Sequence, residues 1–137
     1  MWSEPWRMIT SAFIHNGIMH VMFNGYSLWV LGNLIERVIG PARFLLVFTV
    51  SVITGCLAVM FLSPESLTVG ASAGIFGLFS ALFLINRGFG SNNVSLLAII
   101  GLNLAIGFIV PGIAWEAHIG GLIGGLATTL VLRRTRR

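Results

Sequence analysis

Five apolar runs recur along the chain, each set off from the next by a short polar or glycine-proline interval. The spacing predicts membrane-spanning helices at 18–36, 43–62, 71–86, 94–110 and 115–132. A bilayer's hydrocarbon core takes about 20 residues of helix. The third and fourth runs fall short of that, so their ends are expected below the membrane surface or extended by loop residues. The intervals are Gly40-Pro41, Ser63-Pro64, Arg87-Gly88 followed by Ser91-Asn92-Asn93, and Pro111-Gly112, all strong local breakers. Residues 1 to 15 are mixed and aromatic, and Trp2, Trp6 and Arg7 suit an interfacial segment. They do not read as a cleavable signal, because no basic leader precedes a short apolar core. No loop is long enough for a soluble domain. The expected architecture is all-α: a polytopic membrane helix bundle forming one transmembrane domain over residues 1–137.

Composition agrees with the pattern. Of 137 residues, 56% are hydrophobic and 9% charged, against about 25% charged in soluble domains. The charges are eight arginines and four glutamates, with neither Lys nor Asp. A net charge of +4 does not imply nucleic acid here, because no basic stripe is interleaved with aromatics. It reads as topology instead. Five spans put Arg37, Arg87, Arg133, Arg134, Arg136 and Arg137 on one side, with Arg43 opening the next span beside them, and only Arg7 on the other. By the positive-inside rule the arginine-rich side, with the C-terminus, is cytoplasmic. A multi-pass protein of a bacterial-type cytoplasmic membrane is expected. Cys56, the one cysteine, reads as a small side chain facing lipid or a neighbouring helix, with no disulfide to make.

The candidate chemistry gathers at the opposite end. Spans one, three and five all begin there, which brings His20, Asn24, Ser72 and His118 to similar depth. Polar groups inside a membrane are costly and face the protein interior or a wet cavity. Ser72 lies in the small-residue stretch Gly70-Ala71-Ser72-Ala73-Gly74, which suits close helix packing as well as a nucleophile that must be approached. A Ser hydroxyl needs a base, and His is matched to that role near neutral pH. His118, Gly121 and Gly125 share a helical stripe that would let the last span lie close to its neighbour. On the third span the matching arc holds Ser72, Phe76 and Ser80, with Gly70, Gly74 and Gly77 expected to pack elsewhere. Docking of the last span on this arc would bring His118 onto Ser72.

With Asp absent and Glu116 two residues from His118, a dyad is expected, the imidazole oriented by packing against Phe76. His20 and Asn24, at i and i+4, suit either an oxyanion hole shared with the Ser72 amide or hydrogen bonds that tie helices. His15 reads as a loop-ordering histidine. A zinc site of His15, His20 and His118 lacks an acidic or Cys ligand, and the i, i+5 spacing points the first two apart.

These residues resemble the rhomboid family of intramembrane serine proteases. The resemblance runs from Trp6-Arg7, Thr10 and His15 through His20-Val21-Met22-Phe23-Asn24, Ile35-Glu36-Arg37-Val38-Ile39-Gly40 and Gly70-Ala71-Ser72 to Ala117-His118-Ile119-Gly120-Gly121 with Gly125. It implies Ser72 as nucleophile, His118 as general base and then acid, and an oxyanion hole from His20, Asn24 and the Ser72 amide. It also implies Trp6-Arg7 as an interfacial loop motif and Glu36-Arg37 as a structural motif tying neighbouring helices on the cytoplasmic side. The implied substrates are single-span membrane proteins cut near the outer membrane face, within the lipid bilayer, with neither metal nor cofactor.

Two departures stand out. The family's core has six helices, and the one that precedes the Trp-Arg loop has no counterpart here, so five transmembrane helices of that core are expected. Ala73 follows the nucleophile where Gly is common. The rival reading is a catalytically inactive rhomboid-like protein that binds transmembrane segments. A channel is disfavoured, because the intramembrane polarity sits at one end and describes a cavity, not a conduit.

Overall fold

The structure, a computed structural model, describes residues 3–15, 17–65 and 71–135. Trp2, the loop residues 66–70 with Gly70 among them, Arg136 and Arg137 lie outside the described residues. The regular structure described is entirely helical: α1 (Arg7–Thr10) with a 3-10 turn at Ser11–Phe13, α2 (Ile18–Ile39), α3 (Pro41–Leu62), α4 (Ser72–Gly88), α5 (Val94–Ile109) and α6 (Trp115–Thr135). Helices α2 to α6 are the five predicted spans, with ends shifted by up to three residues.

The largest shifts have local causes. Helix α2 continues to Ile39 because its only break is Gly40, whose φ of +88° is a conformation that other L-residues rarely adopt. Pro41 then opens α3 at a position where its missing N–H breaks no helical bond. One residue thus separates two 22-residue helices. Helix α6 runs on through Arg133 and Arg134, placing cations in its last turn, where they suit the helix dipole. Among the described residues, Pro41–Leu62 alone is both long and apolar enough to cross a membrane on length and composition. Ser72–Gly88 and Val94–Ile109 are apolar but shorter.

Helix α4 is the axis of the bundle. Every residue from Ala73 to Ala81 is buried, and it packs against α2, α3, α5 and α6. Only small side chains allow so many neighbours. A methyl group added at Gly121 would collide with the Ala73 carbonyl, and one at Gly125 with the Gly77 backbone. The two helices run parallel, with Ser80 Oγ donating to the Leu122 carbonyl at 2.7 Å further down. Helix α3 crosses both. Thr54 Oγ1 donates to the Gly120 carbonyl at 2.8 Å, and a methyl at Gly55 would lie 2.6 Å from the Ala73 Cβ. Gly77 therefore faces α6 and Ser51 of α3 together, where the sequence suggested that it would pack away from the last span. Gly74 does face another helix, meeting Phe48 of α3.

Large apolar side chains cover the outside. Phe23 and Trp29 of α2 and Leu102 and Phe108 of α5 are all exposed. In water such a surface would aggregate; in a bilayer it is solvated by lipid tails. The short α1 and the 3-10 turn after it dock on α3 through Met8 and Ala12, which pack with Val52 and Cys56. Cys56 is buried there and donates from Sγ to the Met8 carbonyl at 3.4 Å, so it faces the interfacial segment.

Candidate active site

Helix α4 begins at Ser72, after Ala71, whose side chain can make no cap. The first backbone bond of the helix is Ile75 N to the Ala71 carbonyl at 3.0 Å. The amides of Ser72, Ala73 and Gly74 therefore have no intrahelical acceptor and concentrate positive potential around the Ser72 hydroxyl. His118 sits in the first turn of the parallel helix α6, so the two side chains meet at the same end of the bundle. His118 Nε2 lies 3.2 Å from Ser72 Oγ. The imidazole is buried while Ser72 is only half-buried, which leaves the hydroxyl the more approachable of the two.

Packing orients the ring. Phe76, one turn below Ser72, stacks on His118 with centroids 4.2 Å apart and planes 16° from parallel. The other ring nitrogen, Nδ1, is buried without a hydrogen-bond partner among the described residues. It faces Gly107 of α5, where a Cβ would stand 3.4 Å from it. Among the described residues no carboxylate is hydrogen-bonded to that nitrogen. Glu116 is buried, and its Oε1 accepts a hydrogen bond from Ser63 Oγ. A Ser–His pair without an acid can still polarise the hydroxyl, with Nε2 accepting from Ser72 and Nδ1 carrying the proton.

Helix α2 presents its polar groups to the same region. Asn24 shares a stripe with Leu28, Leu31 and Ile35, which join Ala71, Phe76 and Phe79 of the α4 region in one apolar cluster. Asn24 is buried, and its Nδ2 has no hydrogen-bond partner among the described residues. A buried amide donor left over in this way is ready to meet a developing negative charge. His20 lies one turn earlier on the same stripe. Its ring meets that of His15 edge to face, with centroids 5.0 Å apart. That corrects the expectation, from i, i+5 spacing, that the two point apart. The helix starts only after Gly17, whose φ of +101° turns the chain, so helical spacing does not apply across it. His15 thus packs edge-on against His20. Among the described residues no three of His, Cys, Asp and Glu gather at metal-ligand spacing.

Residues 3–135 match the Rhomboid domain. The chain belongs to the rhomboid family. This rhomboid is 39% identical to rhomboid protease GluP of Bacillus subtilis (strain 168), over 94% of its own length and 26% of that protein. It is 35% identical to YdcA of the same bacterium, over 98% of this chain and 71% of YdcA. With RHOMBOID-like protein 6, mitochondrial, of Arabidopsis thaliana it shares 33% identity, over 95% of this chain and 44% of the relative. The chain thus spans about a quarter of GluP and under half of the Arabidopsis protein. Membership makes it an integral membrane protein, in keeping with its lipid-compatible surface.

Other features of the rhomboid's sequence have plainer places. Trp6 is exposed, and Arg7 Nε pairs with Glu4 Oε2 at 2.7 Å on the outside of α1. Glu36 and Arg37 are exposed in the last turns of α2 and make no ion pair among the described residues. Among the described residues that motif makes no tie between helices. The inward positions belong to Gly32 and Ile35, and Glu36 and Arg37 follow on the outer arc. Ala73, after Ser72, is accommodated by Gly55 opposite its methyl group. Two neighbours of the dyad gave no signal in the sequence: Gly107 beside Nδ1, and Ser63 as partner of Glu116.

Proposed function

We propose that this rhomboid is an intramembrane serine endopeptidase that cleaves transmembrane segments of single-span membrane proteins near the outer membrane face. The observation that carries the reading is the 3.2 Å approach of Ser72 Oγ to His118 Nε2, with the ring held by Phe76. In the first half-reaction Ser72 Oγ attacks the scissile carbonyl carbon and its proton passes to Nε2. As the tetrahedral intermediate collapses, the C–N bond breaks and Nε2 returns the proton to the leaving amine. Water, deprotonated by the same nitrogen, then attacks the acyl-enzyme ester and releases the carboxyl product and the free serine.

The oxyanion would be met by the Asn24 side-chain amide, His20 and the Ser72 N–H. Depth supports the same reading. The 17 residues of α4 span about 26 Å of helix, short of the roughly 30 Å hydrocarbon core, which supports a Ser72 held below the membrane surface. The arginines at the far ends of α2, α4 and α6 support a cytoplasmic location for that side and for the C-terminus.

The test is covalent labelling of the purified chain by a fluorophosphonate serine probe, beside Ser72→Ala. Labelling of the wild type that vanishes in the variant supports the proposal. Absence of labelling in both, with transmembrane peptides still bound, would favour the inactive binding protein instead.

A further inference from the structure

We infer that Glu116, through its hydrogen bond with Ser63, is a positioning residue that sets the Ser72–His118 distance in place of a third catalytic acid. The inference rests on the dyad reading above. Glu116 is a buried carboxylate in the first turn of α6, two residues before His118 and not hydrogen-bonded to its ring. Burial of a charge that makes no use of it is costly, and here the offset is the helix N-terminus and the Ser63 hydroxyl. Ser63 closes α3, its N–H bonded to the Val59 carbonyl at 2.8 Å, and it begins the loop that leads into Ser72. One bond thus joins the end of α3 to the first turn of α6, which carries His118. Below it, Thr54 Oγ1 holds the Gly120 carbonyl at 2.8 Å, so α6 is fixed against α3 on both sides of His118. The spacing of two points along one helix determines its rotation and its rise. Loss of the upper point leaves the first turn of α6, with His118, held only from below, by the Thr54–Gly120 bond and the packing on α4.

The experiment measures inactivation by the fluorophosphonate probe in the full chain, separating the maximal rate of serine phosphonylation from probe affinity. In that step the Oγ–P bond forms, the P–F bond breaks, fluoride leaves and His118 takes the serine proton. Ser63→Ala and Glu116→Leu are expected to lower the maximal rate roughly ten- to a hundredfold, the cost of a misplacement near 1 Å, at unchanged probe affinity. Glu116→Gln keeps an acceptor for the Ser63 hydroxyl and is expected to restore most of the rate. The double variant Ser63→Ala/Glu116→Leu should be no slower than the worse single one. If Glu116→Leu fails to fold, Ser63→Ala, which removes one oxygen, decides alone. Wild-type rates in Ser63→Ala, or a Glu116→Gln variant as slow as Glu116→Leu, overturn the inference while leaving the dyad intact. A wild-type chain that does not label overturns the dyad reading and the inference with it.

Discussion

Phe76 and His118 lie face to face, 4.2 Å between centroids, across the seam between α4 and α6. Because Nδ1 has no hydrogen-bond partner among the described residues, this stacking does what a carboxylate does in a triad: it holds the imidazole in one plane. Phe76→Leu keeps an apolar filler but removes the flat face. The expected result is a loss of about tenfold or more in turnover, with unfolding stability changed by only about 1–2 kcal/mol. Turnover and detergent-unfolding midpoints measured on the same preparations separate the two effects.

Ser72→Ala and His118→Ala should each abolish turnover, and the double variant should be no worse than either. Groups that transfer one proton between them act as a unit, so their losses do not add. A double variant whose residual rate falls by the product of the single losses would show that the two residues act independently.

Asn24→Ala should slow cleavage by about a hundred- to a thousandfold without stopping it, the range for loss of one oxyanion donor. Substrate affinity should be unchanged, because the charge that Asn24 meets exists only in the transition state. A rise in KM at constant kcat would assign Asn24 to helix packing.

Gly121→Leu should inactivate by separating helices. No room exists for even a methyl group against the Ala73 carbonyl, and overpacking at such a contact costs roughly 3 kcal/mol or more. The variant should lose stability and fluorophosphonate labelling together. Full activity in it would mean that α4 and α6 are not in backbone contact.

Cys56 provides a probe that leaves the site untouched. Buried under Met8 and Ser11, it should resist alkylation by a maleimide in the folded protein and react once α1 lifts from α3. Prompt alkylation under native conditions would show that the interfacial segment is not docked.

The elements and the site differ in how far they can be read from the chain. The five long helices were legible because apolar runs and glycine-proline breaks coincide. The stripe of His118, Gly121 and Gly125 was legible too, since helical spacing alone puts these residues on one face. Contacts across a turn were not. The His15–His20 approach depends on the φ of Gly17, which spacing cannot encode. The Ser63–Glu116 bond joins residues 53 apart, one of them at the end of a helix, and no periodicity links them. Gly77 shows a third limit: a residue on a helix wedged between two others has no single partner, so an argument from opposite faces assigns it to only one. Glu36 and Arg37 show a fourth, because a motif names residue types while burial of Ile35 decides which way they point.

The burial of α4 also orders events during synthesis. Its groove of Ala73 and Gly77 is closed by the backbone of α6, which emerges from the ribosome after it. Until then Ser72 has no base. In the proposed mechanism a nascent chain carries an unactivated alcohol among other membrane helices, and the Ser72–His118 pair forms only once α6 has been inserted beside α4.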